Sequence, residues 1–303
     1  MTLPSFGSFG SDIEVFEESR STLLGLAYRI LGSRADAEDA VQDTFLKWEQ
    51  ARKDAEPIET PASWLMTVCT RRCIDLLRSA HKARVDYVGT WLPEPIATKT
   101  EPTSEEHMAL ASSLTTAFLL LLERLTPKER AAYLLHEIFE ISYPEIAKAL
   151  DMQEAACRKL VSRARTTVDR PEVRHTVPRA RQEQLLDAFE GAIVRGDMAS
   201  LSALLSDDID LHADGGGKVP TIQQILRGKD AVLAFIGKVV QPSWSANRWV
   251  PVDINGGRGV LLEDDGKIVA AMSFAYDESG NLADIFVVRN PDKLARLREE
   301  AIE

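Results

Sequence analysis

SYPEIAKALDMQEAACRKLVSRAR, residues 142–165, contains two short amphipathic segments separated by a turn. Ser142 with Glu145 three residues later predicts a capping box, and Pro144 suits a first helical turn. The turn falls at Asp151-Met152, and the apolar spacing on either side predicts these buried faces: Ile146, Ala147 and Leu150, then Ala155, Ala156, Leu160, Val161 and Ala164. The pattern predicts a helix-turn-helix, and an ordinary helical hairpin with a solvated basic face is the alternative.

The second segment carries polar and basic side chains along or beside its other face: Arg158, Lys159, Ser162, Arg163 and Arg165. In a helix-turn-helix, the second helix enters the major groove and presents such residues to bases and phosphates. Between Gln153 and Gln182 the chain has eight basic and three acidic residues, which suits a phosphate backbone. We therefore expect this part of the chain to bind duplex DNA.

The whole chain has 303 residues and a formal net charge of -11, with 45% hydrophobic and 27% charged residues. That composition is typical of a globular protein with two or three domains. From Glu183 onward there are twenty acidic and twelve basic residues, so the last domain is a poor candidate for DNA binding. Neither a bilayer-length apolar run nor a signal-peptide pattern is visible, so we expect a cytoplasmic location without membrane association.

Three cysteines, Cys69, Cys73 and Cys157, are too few and odd in number for a disulfide framework. Cys69 and Cys73 are spaced to share a helix face, which also allows a metal interpretation. No Cys-x-x-Cys pair accompanies them, so we expect buried small hydrophobic residues and no metal site.

Residues 12–85 have helical periodicity almost throughout, with a break at Gly32-Ser33 and a polar loop from Lys53 to Pro61. In residues 36–48, DAEDAVQDTFLKW, one face is predicted to be buried: Ala37, Ala40, Val41, Thr44, Phe45 and Trp48. Acidic and polar side chains remain on the other face: Glu38, Asp39, Gln42 and Asp43. A third helix is predicted from Ala62 or Ser63 to Leu77.

An aromatic residue, Trp64, lies near the predicted start of this third helix. Three basic residues lie toward its end: Arg71, Arg72 and Arg78. Such a combination suits unstacked, single-stranded bases and their phosphates. A core tryptophan and a solvated charged face would give the same pattern, and both interpretations stay open.

Beyond this domain lies TWLPEP, residues 90–95, which opens a proline-rich linker, and two helices are predicted at 104–125 and 127–139. A basic linker, residues 169–181, leads to a last domain with predicted helices at 183–195, 198–205 and 228–239. Alternating apolar segments then predict an antiparallel sheet with strands at 250–254, 259–263, 267–276 and 282–289. Helices followed by such a sheet indicate an α+β fold.

Asp214 and His212 are the candidates for acid–base chemistry in this last domain. The glycines after Asp214 predict a turn with positive φ or a close backbone approach, and no second acid is obviously paired with that aspartate. We therefore expect no catalytic residue and no cofactor, and an enzyme with a DNA-binding appendage is an alternative.

Two parts of the helical sequence resemble a known family. Residues 36–48 together with PASWLMTVCTRRCIDLLRS, residues 61–79, resemble region two of bacterial extracytoplasmic-function sigma factors, and residues 125–165 resemble region four. Residues 182–296 look like a SnoaL-type, NTF2-like cone. The combination is similar to the SigJ-like sigma factors, with the closer match in TWLPEP, DGGGK (214–218) and NPDKL (290–294).

The resemblance implies a multi-domain fold in which two all-α domains, binding DNA and RNA polymerase, precede an α+β cone. Its parts are expected as follows: region 2 at 12–88, a linker at 89–103, region 4 at 104–168, a second linker at 169–181, the SnoaL-like domain at 182–296 and a tail at 297–303.

The resemblance also implies partners and contact residues. Core RNA polymerase, through the clamp helices of its largest subunit, would contact Asp39, Gln42 and Asp43. The melted -10 element would contact Trp64, Arg71, Arg72 and Arg78, where Arg71 replaces the usual family Asn. The -35 duplex would contact Glu154, Arg158, Lys159, Ser162, Arg163 and Arg165.

Self-regulation is a further implication of the resemblance. A patch on the last domain would pack on region 2 and on the linker: Asp214, Gly215, Gly216, Gly217, Lys218, Asn290, Pro291, Asp292, Lys293 and Leu294, with Trp91, Leu92, Pro93, Glu94 and Pro95 from the linker. No separate anti-sigma factor would then be required, and a small ligand of the SnoaL-like domain is possible. The competing class, a ligand-sensing repressor, leaves the first ninety residues without a role.

Overall fold

The computed structural model describes residues 9–53, 58–85, 87–98, 113–168 and 177–297, with side chains described except at 9–12 and 80–85. The chain divides into two compact units. The helical unit comprises the described residues up to Ala83 and from Leu122 to Thr167. The α+β unit comprises the described residues from Arg84 to Leu121 and from Val168 onward.

The described part of residues 9–168 is helical apart from its connections. The helices are α1 (Phe9–Leu31), α2 (Arg34–Ala51), α3 (Pro61–Val85), α4 (Thr116–Leu122), α5 (Pro127–Glu137), α6 (Tyr143–Ala149) and α7 (Glu154–Val168). The predicted break between α1 and α2 is confirmed: Gly32 has a φ of 67°, and the Ser33 hydroxyl caps α2 by accepting from the backbone N–H of Asp36 at 3.3 Å.

The buried face of α2 follows the predicted spacing, with Phe45 only half-buried against Phe16 at a ring-centroid distance of 4.8 Å. Helix α3 continues to Val85, beyond the predicted end at Leu77, because good helix formers follow Leu77 and neither Gly nor Pro interrupts them. Parts of the predicted loop, of both linkers and of one predicted helix lie outside the described residues: 54–57, 99–112 and 169–176.

The helix-turn-helix is confirmed in α6 and α7, and Ser142 and Glu145 form the predicted capping box. The predicted buried face of α7 is partly wrong, because Ala155 and Ala156 are exposed. The buried stripe is instead Cys157, Val161, Ala164 and Val168. Its spacing of four, three and four residues keeps every member on one side of the helix.

The α+β unit contains α8 (Arg179–Arg195), α9 (Met198–Ser202), β1 (Leu205–Asp214), β2 (Leu226–Arg227), α10 (Lys229–Phe235), a π-helical turn (Ile236–Val240), α11 (Gln241–Trp244), β3 (Arg248–Ile254), β4 (Gly257–Asp264), β5 (Lys267–Tyr276), β6 (Leu282–Val288) and α12 (Pro291–Leu294). The strand order is β2-β1-β6-β5-β4-β3.

The predicted antiparallel pairing is confirmed for the last four strands, β3 to β6, whereas the sheet also contains β1, which pairs in parallel with β6. Strand β1 was not predicted, since its acidic residues Asp207, Asp208 and Asp210 mask the alternation of its buried positions. The helix predicted to reach Leu205 ends at Ser202. The segment predicted as one helix from 228 to 239 is interrupted by the π-helical turn.

Apolar residues fill both faces of the sheet, because neighbouring strand residues point to opposite sides. One face, with Leu262, Met272 and Val287, packs against the helices of the same unit. The other face, with Phe286, is covered by Leu92, α4 and α12. In the described part of the chain, no helix is both long and apolar enough to cross a bilayer.

Candidate functional site

Asp214 ends β1 and is fully buried, with 0% of its surface exposed. One carboxylate oxygen accepts a hydrogen bond from the Tyr87 hydroxyl at 2.6 Å. The other oxygen accepts from the Leu92 backbone N–H at 3.0 Å and from Lys293 Nζ at 2.7 Å. A buried carboxylate is stable only when it is paired and hydrogen-bonded in this way. We call the group Asp214, Asn290 and Lys293 the linker anchor.

The other two members of the linker anchor bind the same segment. Asn290 Nδ2 donates to the Tyr87 hydroxyl oxygen at 2.9 Å. Lys293 donates to the Leu92 carbonyl, and its Nζ lies 5.2 Å from the ring centroid of Tyr87 and 4.5 Å from that of Trp91. Burial and the hydrogen bond to Asp214 raise the pKa of Tyr87, so its hydroxyl remains a donor.

The glycine turn after Asp214 has the backbone that its sequence predicts. Gly216 and Gly217 have φ of 60° and 69°. A Cβ on Gly216 would lie 2.3 Å from Asn290 Nδ2, so the close approach there requires glycine. Lys218 and Asp292 form an exposed ion pair. The structure therefore brings DGGGK and NPDKL together.

The TWLPEP segment lies on the α+β unit, and Leu92, Pro93, Glu94 and Pro95 are buried there. Sequence reasoning missed Asn255, whose side chain accepts from the Ile96 N–H at 3.1 Å and donates to the Leu114 carbonyl at 3.1 Å. Asn255 is 1% exposed with a φ of 52°. The only local signal was the Asn-Gly-Gly turn at 255–257.

The predicted acid–base candidates have other roles in the fold. Asp214 belongs to the linker anchor, and His212 Nε2 lies 3.1 Å from an Asp284 carboxylate oxygen. Asp210 lies beside them, and burial together with the charge of Asp284 raises the pKa of Asp210. Neither Asp214 nor His212 lines the apolar cavity of this unit. The structure therefore does not bring the two acid–base candidates together at that cavity.

The predicted polymerase contacts lie on the outer face of α2. Asp39 and Gln42 are exposed, and Asp43 binds Arg72 with an oxygen–Nε distance of 2.6 Å. Leu46, 57% exposed, continues the same face one turn further, and sequence reasoning missed it. Exposed carboxylates beside an apolar side chain suit a basic protein partner with an apolar centre.

Each of the predicted -10 residues on α3 contacts a different part of the helical unit. Trp64 is half-buried, with its ring 5.6 Å from that of Trp48, so it contributes to packing. Arg71 donates to the carbonyls of Ala149 and Lys148, at 2.7 and 3.0 Å, at the end of α6. This arginine of α3 therefore caps the first helix of the helix-turn-helix within the helical unit.

The predicted -35 residues on α7 lie at the surface, with Lys159 and Ser162 exposed. Three of the arginines have carboxylate partners: Arg158 with Glu154 at 2.6 Å, Arg163 with Glu129 at 3.3 Å, and Arg165 with Glu137 at 2.6 Å. Exposed pairs of this kind are weak, so phosphates can replace the carboxylates at small cost.

One groove of the helical unit, of about 810 Å³, joins the two predicted DNA-binding sets. Its cationic wall consists of Arg78, Lys128, Arg158, Lys159 and Arg163. Arg78 is a predicted -10 residue, whereas the arginines and lysine of α7 are predicted -35 residues. The groove therefore concentrates positive charge that suits a phosphate backbone.

Comparison with known proteins identifies both helical parts. The family model described as Sigma-70 region 2 matches residues 15–83, and the one described as Sigma-70, region 4 matches residues 115–168. The ECF RNA polymerase sigma factor SigJ of Mycobacterium tuberculosis is 37% identical over 232 residues, 76% of this chain and 73% of the relative. The probable ECF RNA polymerase sigma factor SigI of the same species is 28% identical over 93% of this chain and 94% of that protein.

The crystal structure of the Mycobacterium tuberculosis extracytoplasmic function sigma factor SigJ superposes with a TM-score of 0.71. It is 33% identical in sequence, and the alignment covers 93% of this chain and 98% of that one. The likeness therefore extends over the helical part and over the α+β domain that follows it.

Proposed function

Since this chain belongs to the extracytoplasmic-function RNA polymerase sigma factors, we propose that its SnoaL-like domain restrains initiation by holding the linker between the two promoter-binding regions. A sigma factor binds core RNA polymerase and promoter DNA, and it is an accessory subunit without catalytic activity of its own. The restraint acts within one chain, so a separate anti-sigma factor is not needed. Its place of action is the cytoplasm, with the polymerase.

The observation that carries this proposal is the linker anchor. Tyr87 follows two residues after the end of α3, and its hydroxyl binds buried Asp214. Asn255 accepts from the backbone N–H of Ile96, within the linker, and donates to the carbonyl of Leu114, beyond the linker. A tethered contact of modest strength remains populated, because the tether supplies an effective concentration in roughly the millimolar range.

Promoter geometry explains why holding the linker would matter. Elements near positions -10 and -35 lie about 25 base pairs apart, or roughly 85 Å at about 3.4 Å per base pair. Arg71 of α3 touches α6 directly in the helical unit, so this unit must open for both elements to be read together. A released linker of 15 residues, 89–103, extends to roughly 50 Å and lets the two promoter-binding regions move apart, whereas a linker that is bound to the α+β unit does not.

The contact residues complete the proposal. Asp39, Gln42, Asp43 and Leu46 would contact the polymerase. The -10 strand would contact Arg71 after it leaves α6, together with Trp64, Arg72 and Arg78. The -35 duplex would contact the exposed face of α7: Glu154, Arg158, Lys159, Ser162, Arg163 and Arg165. Opening of the linker anchor thus precedes full promoter contact.

Transcription with purified core RNA polymerase tests the proposal, on a double-stranded promoter that the holoenzyme itself selects from a fragment library. We expect transcripts only when the chain is added, and severalfold more transcript from Tyr87→Phe and Asn290→Ala than from the wild type. Tyr276→Phe is the matched control, because Tyr276 lies in the apolar core away from the linker.

Equal amounts of transcript from the wild type, Tyr87→Phe and Asn290→Ala would show that the SnoaL-like domain does not restrain initiation. Binding of the chain to duplex DNA without any binding to core polymerase would instead support a ligand-sensing repressor.

A further inference from the structure

The α+β unit contains a half-open cavity of about 310 Å³ that the promoter-binding function does not use. The sheet contributes apolar side chains to its wall, including Leu211, Met272 and Val287, and the helical side contributes Phe189 and Trp244. A small, mostly apolar cavity with few polar groups is typical of a small-molecule site. The wall by itself favours an apolar ligand, because burial of apolar surface is the available driving force.

Arg289 is the one charged residue among the described residues that line this cavity. Its Nη1 donates to the Pro220 carbonyl at 2.8 Å, and its guanidinium carbon lies 5.8 Å from the ring centroid of Trp244. Its buried Nε has no acceptor, and no carboxylate pairs with this arginine, within the described residues. Burial lowers the pKa of Arg289, as expected for a cation that has lost water without gaining an anion.

A half-buried guanidinium without a counterion favours an anionic acceptor over a neutral one. A carboxylate can accept two parallel hydrogen bonds from the fork of an arginine, and such charge-assisted bonds are about twice as strong as neutral ones. We propose that this cavity binds a small apolar molecule with a single carboxylate, which pairs with Arg289 while its apolar part fills the space between sheet and helices.

The site adjoins the linker anchor through the backbone. The N–H groups of Arg289 and Asn290 both donate to the Asp214 carbonyl, at 2.7 and 2.9 Å. Pro220, which accepts from Arg289, lies two residues after the glycine turn that follows Asp214. A carboxylate that draws the guanidinium away from Pro220 therefore acts beside the residues that hold Tyr87. The site is thus placed where a ligand could influence the linker.

Calorimetric titration of the full chain with 2-naphthoate and with its neutral isostere 2-naphthamide tests the proposal. We expect the wild type to bind 2-naphthoate at least tenfold more tightly than 2-naphthamide. Arg289→Gln should bind both probes equally, with an unchanged affinity for the amide. Arg248→Gln is the matched control and should keep the preference, because Arg248 is exposed on β3 and pairs with Glu263.

Three results would overturn the proposal: no binding of either probe to the wild type, equal affinities in the wild type, or a preference for the acid that persists in Arg289→Gln. If Arg289→Gln does not fold, Arg289→Lys keeps the positive charge and must keep a preference for the acid, and its loss would also overturn the proposal. Polymerase and DNA are absent from these titrations, so their failure leaves the proposed restraint untouched.

Discussion

Replacing Tyr87 with Phe removes one hydroxyl from the contact between the linker and the linker anchor. That hydroxyl donates to the Asp214 carboxylate at 2.6 Å and accepts from Asn290 at 2.9 Å. The ring, its packing and its contact with Lys293 remain in place. The change therefore isolates the hydrogen bonds from the rest of the contact.

The expected magnitude follows from the charge and the exposure of this pair. A hydrogen bond to a charged group contributes about 1.5–3 kcal/mol, and the half-buried position of Tyr87 reduces this to about 1–2 kcal/mol. At about 1.4 kcal/mol per tenfold, the opening equilibrium of the linker should increase about fivefold to thirtyfold. Asp214 keeps its bonds to Leu92 and Lys293, so the unit should remain folded.

Amide hydrogen exchange of Leu92 measures this opening, because its N–H donates to Asp214 at 3.0 Å and Leu92 is 0% exposed. Exchange at Leu92 should accelerate by the same factor in Tyr87→Phe, whereas amides of β5 and β6 should not change. The control Tyr276→Phe should leave Leu92 unchanged. Unaltered exchange of Leu92 in Tyr87→Phe would mean that the hydroxyl does not hold the linker, and equal acceleration in both variants would show general loosening of the unit instead.

Three other variants test separate parts of the structure. Gly216→Ala should lower the melting temperature far more than Gly266→Ala, since both have positive φ but only the first Cβ would collide, 2.3 Å from Asn290; equal losses would contradict this. Thr126→Ala removes the capping box of α5 and should cost about 1 kcal/mol in urea unfolding, and no change would deny the cap a role. Asp210→Asn should stabilise the fold at neutral pH, because burial raises the pKa of Asp210 and its ionisation opposes folding as the pH rises through that value. The unfolding midpoints of the wild type and of Asp210→Asn should converge in acid. A difference that does not depend on pH would contradict the raised pKa of Asp210.

Local signals explain which parts of the fold were predictable. The helix-turn-helix was predicted because Ser142, Glu145 and the apolar spacing act within one or two helical turns. Strand β1 escaped prediction because it pairs with β6, some seventy residues away, and its acidic residues hide the alternation. Sequence periodicity reports burial only where the burying partner imposes a regular pattern.

The site shows the same division. DGGGK and NPDKL could be named from a family resemblance, but Tyr87 and Asn255 could not be foreseen, since each makes contacts more than 120 residues away. The role of Arg289 likewise depends on a cavity that forms only when sheet and helices meet. Long-range contacts of single side chains leave no periodic trace in a sequence.

Hydrogen exchange of residues 87–98, in the free chain and in the complex with core RNA polymerase, shows directly whether the linker is held and then released. We expect strong protection of the Leu92 amide in the free chain, from its bond to Asp214, and loss of that protection in the polymerase complex. Protection that is equally strong in both states would contradict a linker that is held in the free protein and released for initiation.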